Sequence, residues 1–454
     1  MKLEKGQIVE IKIEKIVYGG EGLGYYNNKF AMFVPMSVPG DILKVEIISL
    51  KKSYGRALIK EIITPGSDRI KGLNHVTFED FQGCDFGMLD YNAQLKYKKE
   101  MVEDVVRRIG KNSDVLIEET LESPVEKNYR NKVIEPFSFS GNKIITGFFK
   151  RKSHDVFQVE DNMLNSILGN KIITELKNLL NENRVTVYDE KKHIGILRHV
   201  MVRTNSFNEA MLVLIINDIK VSEKIKSILK KMTDKFEEIK SVYVSLNDRK
   251  TNVALGDKNI LIYGEKTIKE YIDNIHFNIS PASFFQINLE QTRRLYSLAI
   301  GMFENIENKR IIDAYAGTGT IGMILSKKKA KKVYSIEIVE SAVKDGIQTA
   351  KENNIENIQF IRGDVNKELE KLVEIEKIDS IILDPPRKGV DEKSLIDISK
   401  VGIEEIVYIS CNPSTFARDI EVLEKEGYRL VRVKPVDMFP QTSHIEVVGR
   451  LIKK

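Results

Sequence analysis

The chain has 454 residues, 42% of them apolar and 30% charged, with a net charge of +5. That length exceeds what a single hydrophobic core serves, so two or three domains are expected. The mild basic excess permits a nucleic-acid partner without demanding one, and the two cysteines, Cys84 and Cys411, exclude a disulfide framework and favour a reducing cytoplasm.

The opening stretch, "MKLEKGQIVEIKIEK", alternates charged and apolar residues and lacks the unbroken apolar run of a secretion signal. The longest apolar run, "AMLVLII" at 210–216, has strand length and is too short to span a bilayer. A soluble, cytoplasmic monomer with no membrane partner is expected. No low-complexity tract or internal repeat stands out.

Residues 1–64 read as strands. "QIVEIKIEKI", "KFAMFVP", "DILKVEIISL" and "GRALIKEII" alternate with period two, and Gly-, Pro- and Asn-rich turns separate them. Short strands packed this densely predict a small OB-like barrel. Tyr18, Tyr25, Tyr26, Phe30 and Phe33 are candidates for stacking on RNA bases, although aromatic residues in small barrels more often fill the core.

Residues 65–275 predict a central α+β domain with an antiparallel sheet. The stretch 92–110 has helical spacing and a glycine stop. Strand-like pieces follow: "KVIEPFSFS", "KIITGFFKRK", "GILRHVMVRTN" and "AMLVLIIND". Lys150, Arg151, Lys152, Arg198 and Arg203 are either phosphate contacts or solvated strand ends, and composition favours the second.

From 276 to 454 the rhythm changes to an α/β one. "RIIDAYAG", "KVYSIEI", "NIQFIRGD", "DSIILDPP" and "EIVYISC" alternate with helical segments, the pattern of a Rossmann-like, mostly parallel sheet. Ligands bind such sheets beyond the carboxyl ends of the strands, and each of these runs ends in a candidate functional residue. The basic run at 326–332 falls at the other end of the sheet and reads as a solvated turn.

The first run opens "DAYAGTGTIG", in which Gly317, Gly319 and Gly322 form G-x-G-x-x-G. Glu337 ends the second strand, placed to accept from ribose hydroxyls. Alone, this pattern suits a nicotinamide enzyme as well as an S-adenosylmethionine (SAM) enzyme. The downstream residues tip the balance. Asp364 follows the third strand, within reach of an adenine amino group, and Asp384 begins a rigid Asp-Pro-Pro after the fourth. A dehydrogenase has no evident use for that motif, whereas a cationic sulfonium is served by carboxylates.

Cys411 ends the fifth strand and would face the same crevice. Its place before a helix and near a cationic cofactor predicts a lowered pKa. Methylation of nitrogen or oxygen needs no nucleophilic residue. Carbon 5 of uracil does, because thiolate attack on carbon 6 turns the ring into an enolate. The adduct must then lose its carbon-5 proton, which calls for a base. His444 and Glu446 are both candidates. The alternatives are adenine amino-group methylation, which also uses Asp-Pro-Pro but no cysteine, and a non-catalytic RNA-binding factor.

"DAYAGTGTIG", "LDPPRKG", "YISCNPSTFARD" and "DMFPQTSHIEVV" together resemble the motifs of the RNA (uracil-C5)-methyltransferase family. "PASFFQIN", "GILRHVMVR" and "RKTNVALG" extend the likeness upstream, and 1–64 is similar to the family's TRAM RNA-binding module. The resemblance implies SAM as cofactor and RNA as partner, with 5-methyluridine in 23S ribosomal RNA as the favoured product and transfer RNA as the alternative. It assigns Cys411 as nucleophile and Glu446 as base. It places Gln286, Tyr315, Gly317, Glu337, Asp364 and Asp384 around SAM, with Asp384 also on the uracil edge. It further implies that the helix near 92–110 packs on the catalytic domain. Many members hold an iron–sulfur cluster on four cysteines. Here only Cys84 matches, with His75 and Phe81 at two other positions and no cysteine near Asn162. No cluster and no other metal are expected, and Cys84 reads as vestigial or structural.

Overall fold

The computed structural model describes residues 3–72, 81–150, 153, 155–190, 192–218, 220–250 and 253–454. His75, Arg151 and Lys152 lie outside them. The chain divides into two compact units, Met1–Pro124 with Glu290–Lys454, and Val125–Leu289.

The first unit opens with β1 (Ile8–Ile16), β2 (Gly22–Tyr26), β3 (Phe30–Val34), β4 (Ile42–Leu50) and β5 (Tyr54–Thr64). They close into a barrel in the order β1-β2-β3-β5-β4. The alternation seen in the sequence is the cause: along β1, Val9, Ile11, Ile13 and Ile16 turn inward and the residues between them outward. Asp41 and Arg69 form a buried ion pair at one end of the barrel, and Asp41 also accepts from the amides of Val38 and Gly66. Tyr25 is exposed, while Tyr26 and Phe30 are partly buried against the barrel core. Phe33 packs edge-on against Tyr54.

Helix α1 (Tyr91–Arg108) is capped by the Asp90 side chain, which accepts from Ala93 N, and Arg107 and Arg108 occupy its last turn. Ala93, Tyr97 and Met101 pack with barrel residues Ile16, Met36 and Val38, whereas Val102 and Val106 join the core of the catalytic-type sheet described below. This shared packing is why 65–124 groups with the first unit.

The second unit contains β6 (Lys132–Ser140), β7 (Lys143–Phe149), β8 (Val156–Gln158), α2 (Ile167–Glu182), β9 (Leu197–Thr204), β10 (Ala210–Ile216), α3 (Glu223–Lys235), β11 (Ile239–Leu246) and β12 (Lys258–Gly264). The strands form one sheet in the order β12-β11-β10-β9-β6-β7-β8. It is not wholly antiparallel as expected: β10 and β11 run parallel, joined through α3. The seven residues of β10 are all buried, the signature of a strand covered on both faces. A hairpin of β13 (Ile268–Ile272) and β14 (Ile275–Ile279) follows. The residues after it stay with this unit, since Asn131 N donates to Ile287 O and Arg203 Nη2 to Pro281 O. Arg198 and Arg203 are not solvated strand ends. Both are about 3% exposed, and they donate to main-chain carbonyls of Asn247 and Arg249 and of Pro281 and Ser283 respectively.

After α4 (Leu289–Met302) the first unit resumes as alternating strand and helix: β15 (Arg310–Ala314), α5 (Thr320–Lys327), β16 (Lys332–Glu337), α6 (Glu340–Glu352), β17 (Ile358–Arg362), α7 (Val365–Ile375), β18 (Ser380–Leu383), α8 (Glu392–Lys400), β19 (Glu405–Ser410), α9 (Pro413–Lys425), β20 (Tyr428–Val436) and β21 (Glu446–Lys453). The sheet order is β17-β16-β15-β18-β19-β21-β20, and β21 alone runs against the rest. The strand order reverses between β15 and β18, and a crevice opens at such a switch point beyond the carboxyl ends. Every residue of β18 and β19 is buried. Helix α1 packs on α9 and β20 although the second unit separates them in sequence. Among the described residues no helix is long and apolar enough to cross a membrane.

Candidate active site

The loop after β15 is held by a buried carboxylate. Asp313 Oδ2 accepts from Gly322 N at 3.0 Å and from Ser335 Oγ at 3.1 Å, and burial pushes its pKa up to about 7. Tyr315 sits in the left-handed region at φ +61°, a conformation that costs free energy in a residue with a side chain and marks a constrained turn. Gly319 caps α5 at φ +74°, and a Cβ there would stand 2.4 Å from the Phe360 ring. Gly317 N donates to Glu337 Oε2 at 2.9 Å, so loop and second strand end are tied together.

A cavity of about 780 Å³ lies over this loop. Tyr315, Glu337, Asp364 and Asp384 all line it, together with Pro386 and Arg418. Asp364 also caps α7, accepting from Asn366 N and Lys367 N. Gln286 belongs to the second unit, where its carbonyl accepts from Asn131 Nδ2 at 3.0 Å.

Sheet register brings the reactive candidates together. Ser410 of β19 pairs with Val447 of antiparallel β21, so Cys411 and Glu446 come next to each other at the strand ends. Leu383 of β18 pairs with Tyr408 of β19, which puts Asp384 at the same edge. Cys411 is half-buried, and its charged neighbours are Glu446, Arg387 and Asp384. The thiol is therefore not sealed in apolar packing.

Its pKa departs from the sequence expectation. Burial, then Glu446, push the Cys411 thiol up to about 11, and Arg387 offsets only part of this. The following helix gives little help, because the Asn412 side chain already accepts from Ser414 N and Thr415 N and Pro413 has no amide to offer. Glu446 is buried, and desolvation and Asp384 raise its pKa to about 8. Desolvation raises Asp384 to about 7. In the free protein these carboxyls share one crevice and resist ionising together. His444 is exposed, its ring edge-on to Phe439. Of the two candidate bases, Glu446 is the one beside the thiol.

The segment before Glu446 is anchored from the N-terminal half of the chain. Lys98 of α1 and Asp437 form a fully buried ion pair, and Lys98 Nζ also donates to Phe439 O. Gln94 Nε2 donates to Gln441 Oε1 and Gln441 N to Gln94 Oε1. Asp85 accepts from both Ser443 N and Ser443 Oγ at 2.7 Å. Cys84 is buried immediately before Asp85, its amide donating to Phe81 O, with Phe86 buried beyond it. Among the described residues no group of three or more His, Cys, Asp or Glu side chains is arranged to hold a metal ion.

Comparison with known proteins decides the lineage. Residues 90–454 match the model of the tRNA (uracil-5-)-methyltransferase family, and residues 2–60 match the TRAM domain. The chain belongs to the tRNA (uracil-5-)-methyltransferase family. An uncharacterized RNA methyltransferase of Fusobacterium nucleatum is 62% identical over the whole of this chain and 97% of its own length. One from Halalkalibacterium halodurans is 37% identical, covering 99% of this chain and 98% of itself. The crystal structure of Pyrococcus abyssi tRNA (uracil-54, C5)-methyltransferase in complex with S-adenosyl-L-homocysteine matches with a TM-score of 0.78 and 26% identity, over 98% of this chain and 100% of that one.

This methyltransferase is SAM-dependent and RNA-directed. The cavity residues suit the cofactor, since carboxylates of Glu337, Asp364 and Asp384 surround a space of nucleoside size beside a glycine turn. Sequence reasoning passed over Asp313 and Lys98 and gave Arg387 no role in the site. A lone aspartate inside "RIIDA" was a legible signal, because an unpaired acid in a buried strand demands partners. Lys98 carried no such signal among its neighbouring lysines.

Proposed function

We propose that this methyltransferase makes 5-methyluridine in ribosomal RNA, in the 23S chain, through a covalent bond between Cys411 and carbon 6 of the target uracil. The observation that carries the reading is the convergence of Cys411, Glu446 and Asp384 at adjacent strand ends beside the cofactor cavity. Tyr315, Gly317, Glu337, Asp364 and Asp384 hold SAM. When bound, SAM supplies an electrophilic methyl group.

The chain's own residues supply the rest. The Cys411 thiolate adds to carbon 6, and the electron pair of the C5–C6 double bond moves to give an enolate at the carbon-4 oxygen. Carbon 5 thereby becomes nucleophilic. Asp384 holds the uracil edge. Once carbon 5 carries both a methyl group and its original hydrogen, Glu446 removes that proton. The electron pair then restores the double bond and expels the thiolate. Raised pKa values on both acids favour neutral forms in the free enzyme, so Glu446 must be deprotonated before it can act as the base.

Ribosomal RNA is favoured by the barrel at 8–64, a module suited to structured RNA. The likeness to the Pyrococcus abyssi enzyme favours transfer RNA as the second reading. Release of tritium from RNA labelled at uridine carbon 5 tests the chemistry. It should require SAM and vanish in Cys411→Ala, and undiminished release by that variant would overturn the mechanism. Mapping 5-methyluridine in ribosomal and transfer RNA from cells with and without the protein decides between the two RNAs.

A further inference from the structure

The turn joining β1 to β2 lies in the barrel, which the family pattern treats as an RNA-binding module, yet the turn reaches the reaction centre. It is closed by Val17 N donating to Glu21 O at 3.0 Å and Gly20 N to Val17 O at 2.9 Å. Gly20 adopts φ +80°, and a Cβ on it would fall 2.5 Å from Ser443 Cβ and 3.4 Å from Asp85 Oδ2. The turn thus rests against Ser443, the residue that Asp85 pins three positions before Glu446. Glycine is required at this contact both for the left-handed backbone and for the close approach. Tyr18, at the tip of the same turn, is half-buried. Its hydroxyl is within electrostatic reach of Cys411, Arg387 and Glu446.

We propose that Tyr18 forms one wall of the target-uracil pocket and that its hydroxyl donates a hydrogen bond to a carbonyl oxygen of the flipped base. The inference rests on the covalent reading above. Thiolate addition to carbon 6 moves negative charge onto the carbon-4 oxygen, and that oxygen needs a donor. Glu446 must be ionised to take the carbon-5 proton, and an ionised carboxylate can only accept. Arg387 and Tyr18 are donors whose protons do not depend on the ionisation of those carboxyls. Burial and the nearby thiol hold the phenol above its ordinary pKa, so it remains a donor at neutral pH and above. The aromatic ring also offers a stacking face to a base taken out of its helix. The barrel then shapes the reaction centre as well as gripping RNA.

The test compares wild type, Tyr18→Phe and Tyr18→Ala in full-length enzyme. Adduct formation with RNA carrying 5-fluorouridine is measured, together with kcat and KM on unmodified RNA. Tyr18→Phe keeps the ring and should lower kcat and the adduct rate roughly ten- to a hundredfold, with KM for RNA and SAM nearly unchanged. Tyr18→Ala should also raise KM for RNA. If Tyr18→Phe matches wild type in kcat, or changes only KM for RNA, the inference falls. If wild type itself forms no adduct, the covalent mechanism falls first, and the two failures are thereby distinguished. Thermal unfolding of Tyr18→Phe should match wild type, and a loss of kcat that tracks a lowered Tm would overturn the assignment.

Discussion

Two carboxylates nine residues apart in the sequence are both buried, and their surroundings differ. Asp437 has Lys98 against it, so the pair is neutral as a unit. Glu446 has no lysine in that position. Its strongest charged neighbour is another carboxylate, Asp384, and Arg387 compensates only partly. Burial with a counter-ion fixes a segment in place. Burial against a like charge keeps a proton on the acid and leaves it ready to exchange that proton, the property a general base requires. The two sites also depend on each other, since Asp437 anchors the segment that delivers Glu446.

The largest effect should come from neutralising the unpaired member. Glu446→Gln should lower turnover by about 10²- to 10⁴-fold while leaving covalent attack intact, so that the protein–RNA adduct accumulates on a denaturing gel. Breaking the paired member should act on stability instead. Lys98→Met leaves Asp437 buried without a partner and should cost about 3–5 kcal/mol in denaturant unfolding, whereas replacing both by apolar residues should recover most of that loss. Turnover should fall with Lys98→Met as the 437–445 segment loosens.

A third prediction concerns pH. Glu446 has a folded-state pKa of about 8, above its ordinary value of 4.5. Its neutral form favours the folded state below pH 4.5, and that contribution is lost as pH rises through 8. Glu446→Gln does not titrate there. Its Tm should therefore gain on wild type from pH 5 to pH 8.5, by an amount equivalent to about 2–4 kcal/mol. The smallest effect concerns the thiol. With its pKa near 11, alkylation of Cys411 in the free enzyme should rise about tenfold per pH unit between 7 and 9. Glu446→Gln should alkylate faster than wild type only above pH 8, where the wild-type glutamate is charged. Cys411→Ala supplies the Cys84 background.

Much of this site is legible in the sequence because a parallel sheet gathers its strand ends at one edge. Once "LDPP" and "YISC" are read as buried strands, Asp384 and Cys411 must emerge together, whatever the helices between them do. Glu446 was legible only as a candidate beside His444, because an acid opening an apolar strand is costly without a use, and the family resemblance chose between them. What escaped depended on distant partners. The Cys411 pKa is set first by burial and then by Glu446, neither visible from the cysteine's local context. Arg198 and Arg203 read as solvated because arginine usually is, yet each satisfies carbonyls far along the chain. The parallel pairing of β10 with β11 was equally hidden, since a fully apolar strand carries no mark of direction.

The interrupted first unit has a consequence for how the molecule is made. Gln94 must wait for Gln441, 347 residues later, before either can complete its hydrogen bonds. At ordinary synthesis rates the nascent chain spends about half a minute emerging from the ribosome over that interval. Throughout it, the apolar face of α1 lacks its C-terminal partners, while the intervening unit can already close on itself.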